Sequence, residues 1–525
     1  MRKLLFLISI LFSASNFCSA QVTFQKAYGG THTDAGKVVL QTTDGGYIIA
    51  GGIYYSSPVL YGDKAYLIKT NLNGDLLWTK TFISPTGSGS LSIGVSDAQP
   101  TNDGGYVLLG TILFKGQKTF LIKTDAAGDT LWARQLNENG MDQNFGFSVQ
   151  QTSDTGFIIA GKESLTFNTE DVSTNANLVK INKYGEVIWS KSYGGSKFDV
   201  ALSVQQTNDH GYIFTGYTRS FGIDSTDVYL VKTNADGDTL WTRTFGGPLA
   251  DIGYAVKQTS DNGYIIVGST SSFGAKYNDA YLVKTNSDGY ILWSKTYSAP
   301  ASDNDYNIQL TTDGGYIICG NSFGTYDVFL LKTDKSGNME WSKTITGSGS
   351  NITLASDGGY VITGVVFSGN GNGDVMLLKT DKMGNISCNE TDAATITNTP
   401  ATKMSGTSTI VVQTSFSTAS EPFLIGSEGT ETTLCTSVGL NEIKSSLPLL
   451  ISPNPSAGDF VITFPGIINQ GTVEIYTVMG ERIFNKAVSL TSNLEINLKN
   501  SSPGIYFVKV MDGERRYSQK IMIQR

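Results

Sequence analysis

Between recurring landmarks, apolar and polar residues alternate every second position, the pattern of half-buried strands. One stretch shows the unit whole: "DVALSVQQT", "GYIFTGYT", "DVYLVKT" and "DTLWTRTFGG" are four strand-length runs separated by Gly- and Asn-rich joints. The unit recurs seven times. Its first landmark is an Asp followed by Gly two residues later and by Tyr or Phe three later. These are Asp44, Asp103, Asp154, Asp209, Asp261, Asp313 and Asp357, about 52 residues apart. The second is a Lys followed by Thr or Ile, at Lys69, Lys123, Lys180, Lys232, Lys284, Lys332 and Lys379. The third is Asx-x-x-Gly with an aromatic residue four past the Gly. All six tryptophans stand there: Trp78, Trp132, Trp189, Trp241, Trp293 and Trp341. Six tryptophans in one register are one packing position used repeatedly.

The joints read as turns. In "T-x-D-x-G-Y" the residue before the last Gly varies among Gly, Thr, His and Asn, while that Gly is fixed. This is the arrangement expected if the fixed Gly takes a positive φ after a type I turn. "NADGD" (234–238) and its counterparts follow the same rule. They lack the downstream acidic ligand of an EF-hand, so turns are expected there, not metal sites. In the outer run "WSKTY", Trp293, Lys295 and Tyr297 share one face, so the rings can pack on a neighbouring unit while the ammonium reaches water.

Four antiparallel strands per unit, repeated in one chain, predict blades around an axis. The seventh unit has Cys388 where its Trp should be and no fourth strand after it. "FQKAYGG" (24–30) matches "WTRTFGG" (241–247), with Phe24 in the Trp place. The N-terminal strand is therefore expected to complete the last blade and close the ring, leaving no open edge between first and last units. The predicted fold is all-β: a seven-bladed β-propeller closed by the N-terminal strand, then a small C-terminal β-sandwich of immunoglobulin-like kind. The boundaries are 1–20 for a signal peptide, 21–388 for the propeller, 389–445 for a Ser/Thr-rich linker or small β-module, and 446–525 for the last domain.

Composition narrows the function. Gly is abundant (59), Pro scarce (12), and aromatics are 11%, which suits a turn-rich β protein with real cores. The net charge is −8 and no basic run interleaves with aromatics, so no nucleic-acid partner is expected. Arg2 and Lys3, the apolar run 4–12 and the small residues before position 21 form a secretory signal. No later run of 18 apolar residues occurs, so no transmembrane segment is expected. Three cysteines follow the signal. Cys319 lies in an apolar strand run and reads as a buried thiol, while Cys388 and Cys435 flank a polar segment and are a disulfide candidate in an oxidising space. With no CxxC and two histidines, His32 and His210, no metal site or cofactor is expected, and no GxSxG or HExxH occurs.

Strand order places the tight Gly hairpins on one face, here the hairpin face. The remaining connections lie on the other, the link face. All the length variation falls on the link face, where specificity usually lives. Asp34, Asp199, Asp251 and Asp303, with Asn144, stand ten residues before their Asp landmarks. Asp227, Asp279, Asp327 and Asp374 stand five before the Lys landmarks. They read either as an acidic rim for cations or sugar hydroxyls, or as Asx side chains bonding loop amides. Phe221, Phe273 and Phe323, each in "SFG", with Tyr54, Tyr55, Tyr61 and Tyr277, are sugar-stacking candidates or plugs between blades.

The tail contains Pro453-Asn454-Pro455 with Gly458, Gly480 after "VEIYTVMG", Gly504-x-Tyr506-x-x-Lys509 and a basic ending. This set closely resembles the type A C-terminal sorting domain of the type IX secretion system of Bacteroidota-type bacteria. The resemblance implies periplasmic entry, passage across the outer membrane by the type IX machinery, and removal of the tail with release or surface attachment. The expected function is a secreted or cell-surface binding or adhesion module, non-catalytic, with a glycan or protein ligand. Two alternatives stand beside it: an extracellular polysaccharide-cleaving enzyme using loop-face carboxylates, and a structural surface-layer component.

Overall fold

The computed structural model describes residues 21–524 apart from 31, 55–63, 84–91, 114–116, 139–143, 165–172, 223–224, 275–277, 299–301, 324–326, 368–371, 387–389, 393–395, 401–402, 407–409, 414–415, 421–423, 427–429, 440–448, 469, 478–481 and 513–514. The signal segment 1–20 and Cys388 lie outside the described residues, as does the side chain of Cys435. Two compact units divide the chain, Val22–Val438 and Gly439–Arg525.

The first unit is seven antiparallel sheets in chain order. Blade 4 serves as the example, with strands Asp199–Gln206, Tyr212–Thr218, Asp227–Thr233 and Thr239–Gly246 from the axis outward. Blade 7 has Ser348–Leu354, Tyr360–Phe367 and Gly373–Lys379, and its fourth strand is the N-terminal Gln21–Gly29. The register places Phe24 opposite Lys379 and Tyr28 opposite Val375, so the ring closes as the sequence predicts. Phe24 is fully buried and meets Tyr47 of blade 1 edge-on at 6.3 Å. Trp189 meets Tyr212 and Trp241 meets Tyr264 in the same way, each at 5.8 Å. Trp132, Trp293 and Trp341 likewise pack on the landmark Tyr or Phe of the next blade, and Trp78 packs against the core that contains Tyr106.

The two kinds of turn use glycine for different reasons, and one differs from expectation. In the Asx-x-x-Gly turns the Gly has the positive φ, as at Gly237 (79°), where a Cβ would also strike the Trp189 indole of the preceding blade. In the Asp-x-Gly turns the positive φ falls on the variable residue: Thr155 (67°), His210 (65°) and Asn262 (61°). The fixed Gly is excluded from bearing a side chain by close approach instead. A Cβ at Gly211 would collide with the Thr233 carbonyl and the Lys232 ammonium.

That ammonium links the first two landmarks. Each landmark Lys pairs with its Asp at 2.8–2.9 Å, from Lys69–Asp44 to Lys379–Asp357. The lysines are 3–8% exposed and the carboxylates 38–59%, so a buried cation reaches out to a solvated anion. The same carboxylate holds its own turn: Asp209 accepts from Thr207 Oγ1 at 2.5 Å and Gly211 N at 3.1 Å.

The segment 389–445 was open to two readings, and the strands described within it belong to seven different sheets. Glu390–Asp392 pairs with the outer strand of blade 6. Ile396–Asn398, Lys403–Gly406, Ile410–Gln413, Phe416–Ser420 and Leu424–Gly426 pair with blades 5, 4, 3, 2 and 1, and Thr430–Gly439 lies beside the N-terminal strand in blade 7. The chain runs backwards around the ring as a belt. Sheet twist explains how one extended segment serves every blade. At about 20–25° per strand, the fifth position lies roughly 80–100° from the first and so runs along the perimeter. The belt strands begin six to eight residues apart, and seven extended residues span about 23 Å. Its pairing covers otherwise open edges, as at Arg243–Gly246, and Met404 packs onto the core shared by blades 4 and 5.

The second unit is a β-sandwich. Leu450–Ser452, Asp459–Ile468 and Thr491–Asn497 form one sheet, and Arg482–Val488, Gly471–Thr477, Gly504–Asp512 and Arg515–Ile523 the other. Phe460, Ile462, Val473, Ile475, Val508 and Ile521 lie in its core.

Candidate functional site

On the link face, most described acidic candidates are enclosed and hydrogen-bonded. Asp199 is fully buried. It accepts from Gly195 N at 2.9 Å, Ser220 Oγ at 2.6 Å and the Thr218 hydroxyl. Asp251 repeats two of these bonds, accepting through Oδ2 from Gly247 N at 2.9 Å and Ser272 Oγ at 2.6 Å, while its Oδ1 is buried without a partner among the described residues. Burial pushes both carboxyls up, against the pull of these donors. Asp34 is buried and accepts from Gly30 N at 3.1 Å. Asp227, Asp279 and Asp374 are buried, and Ser298 Oγ donates to Asp279 at 2.7 Å. Asp327 is half-buried. Phe221 lies on Tyr229 with centroids 6.1 Å apart, and Phe273 on Tyr281 at 5.9 Å; both are half-buried. The side chains of Asn144, Asp303, Phe323 and Tyr54, and all of Tyr55, Tyr61 and Tyr277, lie outside the described residues.

The axis holds what the sequence reading missed. The inner strands enclose a channel of about 400 Å³. Two side-chain tiers line it and bond neighbouring blades along much of the ring. In the tier nearer the link face, Val149 N donates to Asp97 Oδ2 at 2.8 Å, Val204 N to Ser148 Oγ at 3.3 Å, and Val39 N to Asn351 Oδ1 at 3.2 Å. In the next, Gln206 N donates to Gln150 Oε1 at 2.5 Å and Gln258 N to Gln205 Oε1 at 2.7 Å. Lys257 of blade 5 stands in this second tier. Burial pushes Asp97 up to about 6 and Lys257 down, each opposed by the other's charge. Both are half-buried and line the channel. The signal in the sequence was a pair of polar residues at the end of the inner strands of blades 3, 4 and 5, as in "SVQQT" and "AVKQT", where simple alternation calls for one.

Inner-strand bulges shape the mouth on the link side. Register shifts between Gly146 and Ser148 and between Gly253 and Ala255 leave Phe147 and Tyr254 unpaired. A Cβ on Gly146 would meet Leu109 and Thr119 of blade 2, so the neighbouring Phe145 and Phe147 side chains alternate to the channel side. Their rings stack at 6.0 Å and 2°. Lys162 Nζ lies 4.5 Å from the Phe145 centroid, and burial lowers its pKa. Tyr217 of blade 4 occupies the place of Lys162, and burial raises its hydroxyl pKa. No group of three or more His, Cys, Asp and Glu that could hold a metal occurs among the described residues.

In the C-terminal unit, Asn454 clamps the last strand. Its Nδ2 donates to Lys520 O at 2.9 Å, and Met522 N donates to its Oδ1 at 2.9 Å. Gly458 N donates to Ser456 Oγ at 3.0 Å, and a Cβ at Gly458 would strike Lys499. Tyr506 Oη donates to Ser502 O at 2.5 Å, and Lys509 lies opposite Glu474. Pro453 and Pro455 are exposed, Gly504 begins a strand of the four-stranded sheet, and Gly480 lies outside the described residues. Residues 450–524 match the family model of the secretion system C-terminal sorting domain. The chain ends in that sorting domain. Such domains are typical of type IX secretion substrates of Bacteroidota, so the protein is an exported, secreted or surface β-propeller of a Gram-negative bacterium that engages the type IX machinery through its tail. Among the described residues no helix is long and apolar enough to cross a membrane.

No curated protein matches the chain. Solved structures similar to it include a protein of unknown function from Bacteroides caccae, at 11% identity over 61% of this chain and 93% of that one, TM-score 0.33. A streptogramin B lyase shares 11% identity over 68% and 98%, TM-score 0.40. An exo-β-1,3-galactanase from Clostridium thermocellum shares 11% over 68% and 94%, TM-score 0.27. At these values they bear on neither activity nor ligand.

Proposed function

We propose that the exported propeller is a binding module whose ligand surface is the link-face mouth of the channel on blades 3 to 5. The supporting observation is the set Phe145, Phe147, Lys162, Tyr217 and Tyr254, which gathers aromatic rings and an ammonium at positions where the residue varies from blade to blade. The aromatic faces and the ammonium suit a glycan or a polypeptide segment carrying carboxylates. The rim carboxylates Asp199 and Asp251 accept bonds from their own loops, which favours binding over hydrolysis by those groups. A glycan and matrix-protein array with turnover assays tests this reading. Retention of the full chain without shortened products, weakened by Phe147→Ala, supports it. Shortened glycans favour the polysaccharide-cleaving alternative, and retention of neither class favours a surface-layer role.

A further inference from the structure

The channel's second tier is chemically one-sided. Gln150 and Gln205 spend their Oε1 atoms on the backbone N–H groups of Gln206 and Gln258. Those N–H groups require an acceptor, which fixes the amide orientation and leaves each Nε2 as the free donor. Among the described residues neither Nε2 has a hydrogen-bond partner, and neither does Lys257 Nζ. Blades 3, 4 and 5 therefore present two amide donors and an ammonium side by side along the channel wall.

Acceptors stand elsewhere on that wall. On blade 6, Asn307 Oδ1 is buried without a partner, and Gln309 gives its Nε2 to Ile352 O at 3.0 Å, leaving Oε1 available. On blade 2, Asp97 accepts from Ala98 N and Val149 N at 2.8 Å each, and a carboxylate retains further lone pairs. Asp97 and Asn307 lie one tier, two residues or about 7 Å, nearer the link face than Lys257. One positive and one negative group thus share an enclosed space of about 400 Å³ without a direct ion pair between them.

We propose that the channel binds a small zwitterion of the α-amino-acid class, its carboxylate on Lys257, Gln150 and Gln205 and its ammonium toward Asp97 and Asn307. Two partly desolvated charges of opposite sign are relieved together by a guest carrying both. A simple oxyanion would gain Lys257 and face Asp97, and a simple cation would gain Asp97 and face Lys257. The inference is independent of the link-face reading, because none of these residues belongs to the aromatic set.

The test is ligand-observed saturation-transfer NMR on the full chain with the twenty standard amino acids, followed by calorimetric titration of the strongest binder. Saturable one-site binding is expected. Its N-acetyl and carboxamide derivatives should bind about tenfold or more weakly, since each loses one charged contact. Lys257→Met, which keeps the apolar stem, and Asp97→Asn, which keeps the acceptor for Val149 N, should each weaken binding about as much. Absence of binding by all twenty overturns the proposal. So does equal binding of the N-acetyl derivative, which would identify an anion site only, or unchanged affinity in a folded Lys257→Met protein. The two derivatives decide the matter on the unmodified chain should either variant fail to fold.

Discussion

Blades 3 and 4 are interchangeable on the hairpin face. Lys180–Asp154 and Lys232–Asp209 are both 2.9 Å, and Trp132 and Trp189 pack alike on the next blade. On the link face they differ. Blade 4 sets Asp199 opposite Thr218 and Thr218 opposite Asp227, whereas blade 3 has Asn144, Glu163 and Asn175 in those places. Glu163 is fully buried and takes the Ser192 hydroxyl, so one carboxylate on the second strand stands where blade 4 has two, on the first and third. Beside it, Lys162 replaces Tyr217. Repetition marks where the ring is held together, and departure from it marks where the surface is available for something else.

The largest test of that division is at the closure. Phe24→Ala should cost about 3–5 kcal/mol, because the ring is fully buried between blades 7 and 1. Trp241→Ala should cost less, about 2–3 kcal/mol, since the indole is half-buried and Arg243 covers one face at 5.3 Å. Denaturant unfolding of the full chain measures both, and ligand retention at the link face should survive Trp241→Ala in the folded fraction.

Acid should weaken the hairpin face next. Hydrogen bonds from Lys69 and Thr42 hold Asp44 at about 2. Burial works upward at Asp103, Asp261 and Asp313, but the Thr hydroxyl, the Lys ammonium and the turn amide outweigh it and hold each at about 2. These folded values lie below that of an unfolded Asp. The stabilisation is therefore complete above about pH 4 and is lost as pH falls toward 2. Melting temperature should be flat with respect to these groups from pH 7 to 5 and fall steeply below 4. A melting temperature unchanged between pH 5 and 2.5 would remove the pairs from the account.

The pairs themselves should respond asymmetrically. Asp261→Ala strands the Lys284 ammonium, which is 6% exposed and keeps Thr285 O at 2.9 Å, and should cost about 2 kcal/mol. Lys284→Met leaves a carboxylate that water can solvate and should cost about 1 kcal/mol or less. The smallest stability effect is expected on the link face. Lys162→Met removes a cation from the Phe145 face and should change stability by about 0.5 kcal/mol or less, while weakening ligand retention.

Much of the ring was legible because each unit repeats its own turn chemistry. The Asp, Lys and Trp landmarks gave the blade count, and the orphan "FQKAYGG" gave the closure. The tail was legible from its resemblance. The ion pairs were not, although both partners stood out, because joining residues 19–26 apart requires the strand register. The positive φ was assigned to the wrong residue of the Asp-x-Gly turn, since a fixed Gly can also mark close backbone approach, as Gly211 does. The belt was hidden because its strands are short and Ser/Thr-rich. They take their register from seven different partners and build no core of their own. The channel residues were hidden by the bulges, which shift the alternation and bring Phe147 and Ser148 to one side.

The division between faces stands only if the ring is closed. Hydrogen–deuterium exchange on the full chain addresses this directly, through the amides of Gln25 to Tyr28 in the strand that completes blade 7. Protection equal to that of the partner strand Gly373–Lys379 is the expected result. Exchange of the N-terminal strand on the timescale of a free segment, with Leu377 and Leu378 still protected, would contradict the account.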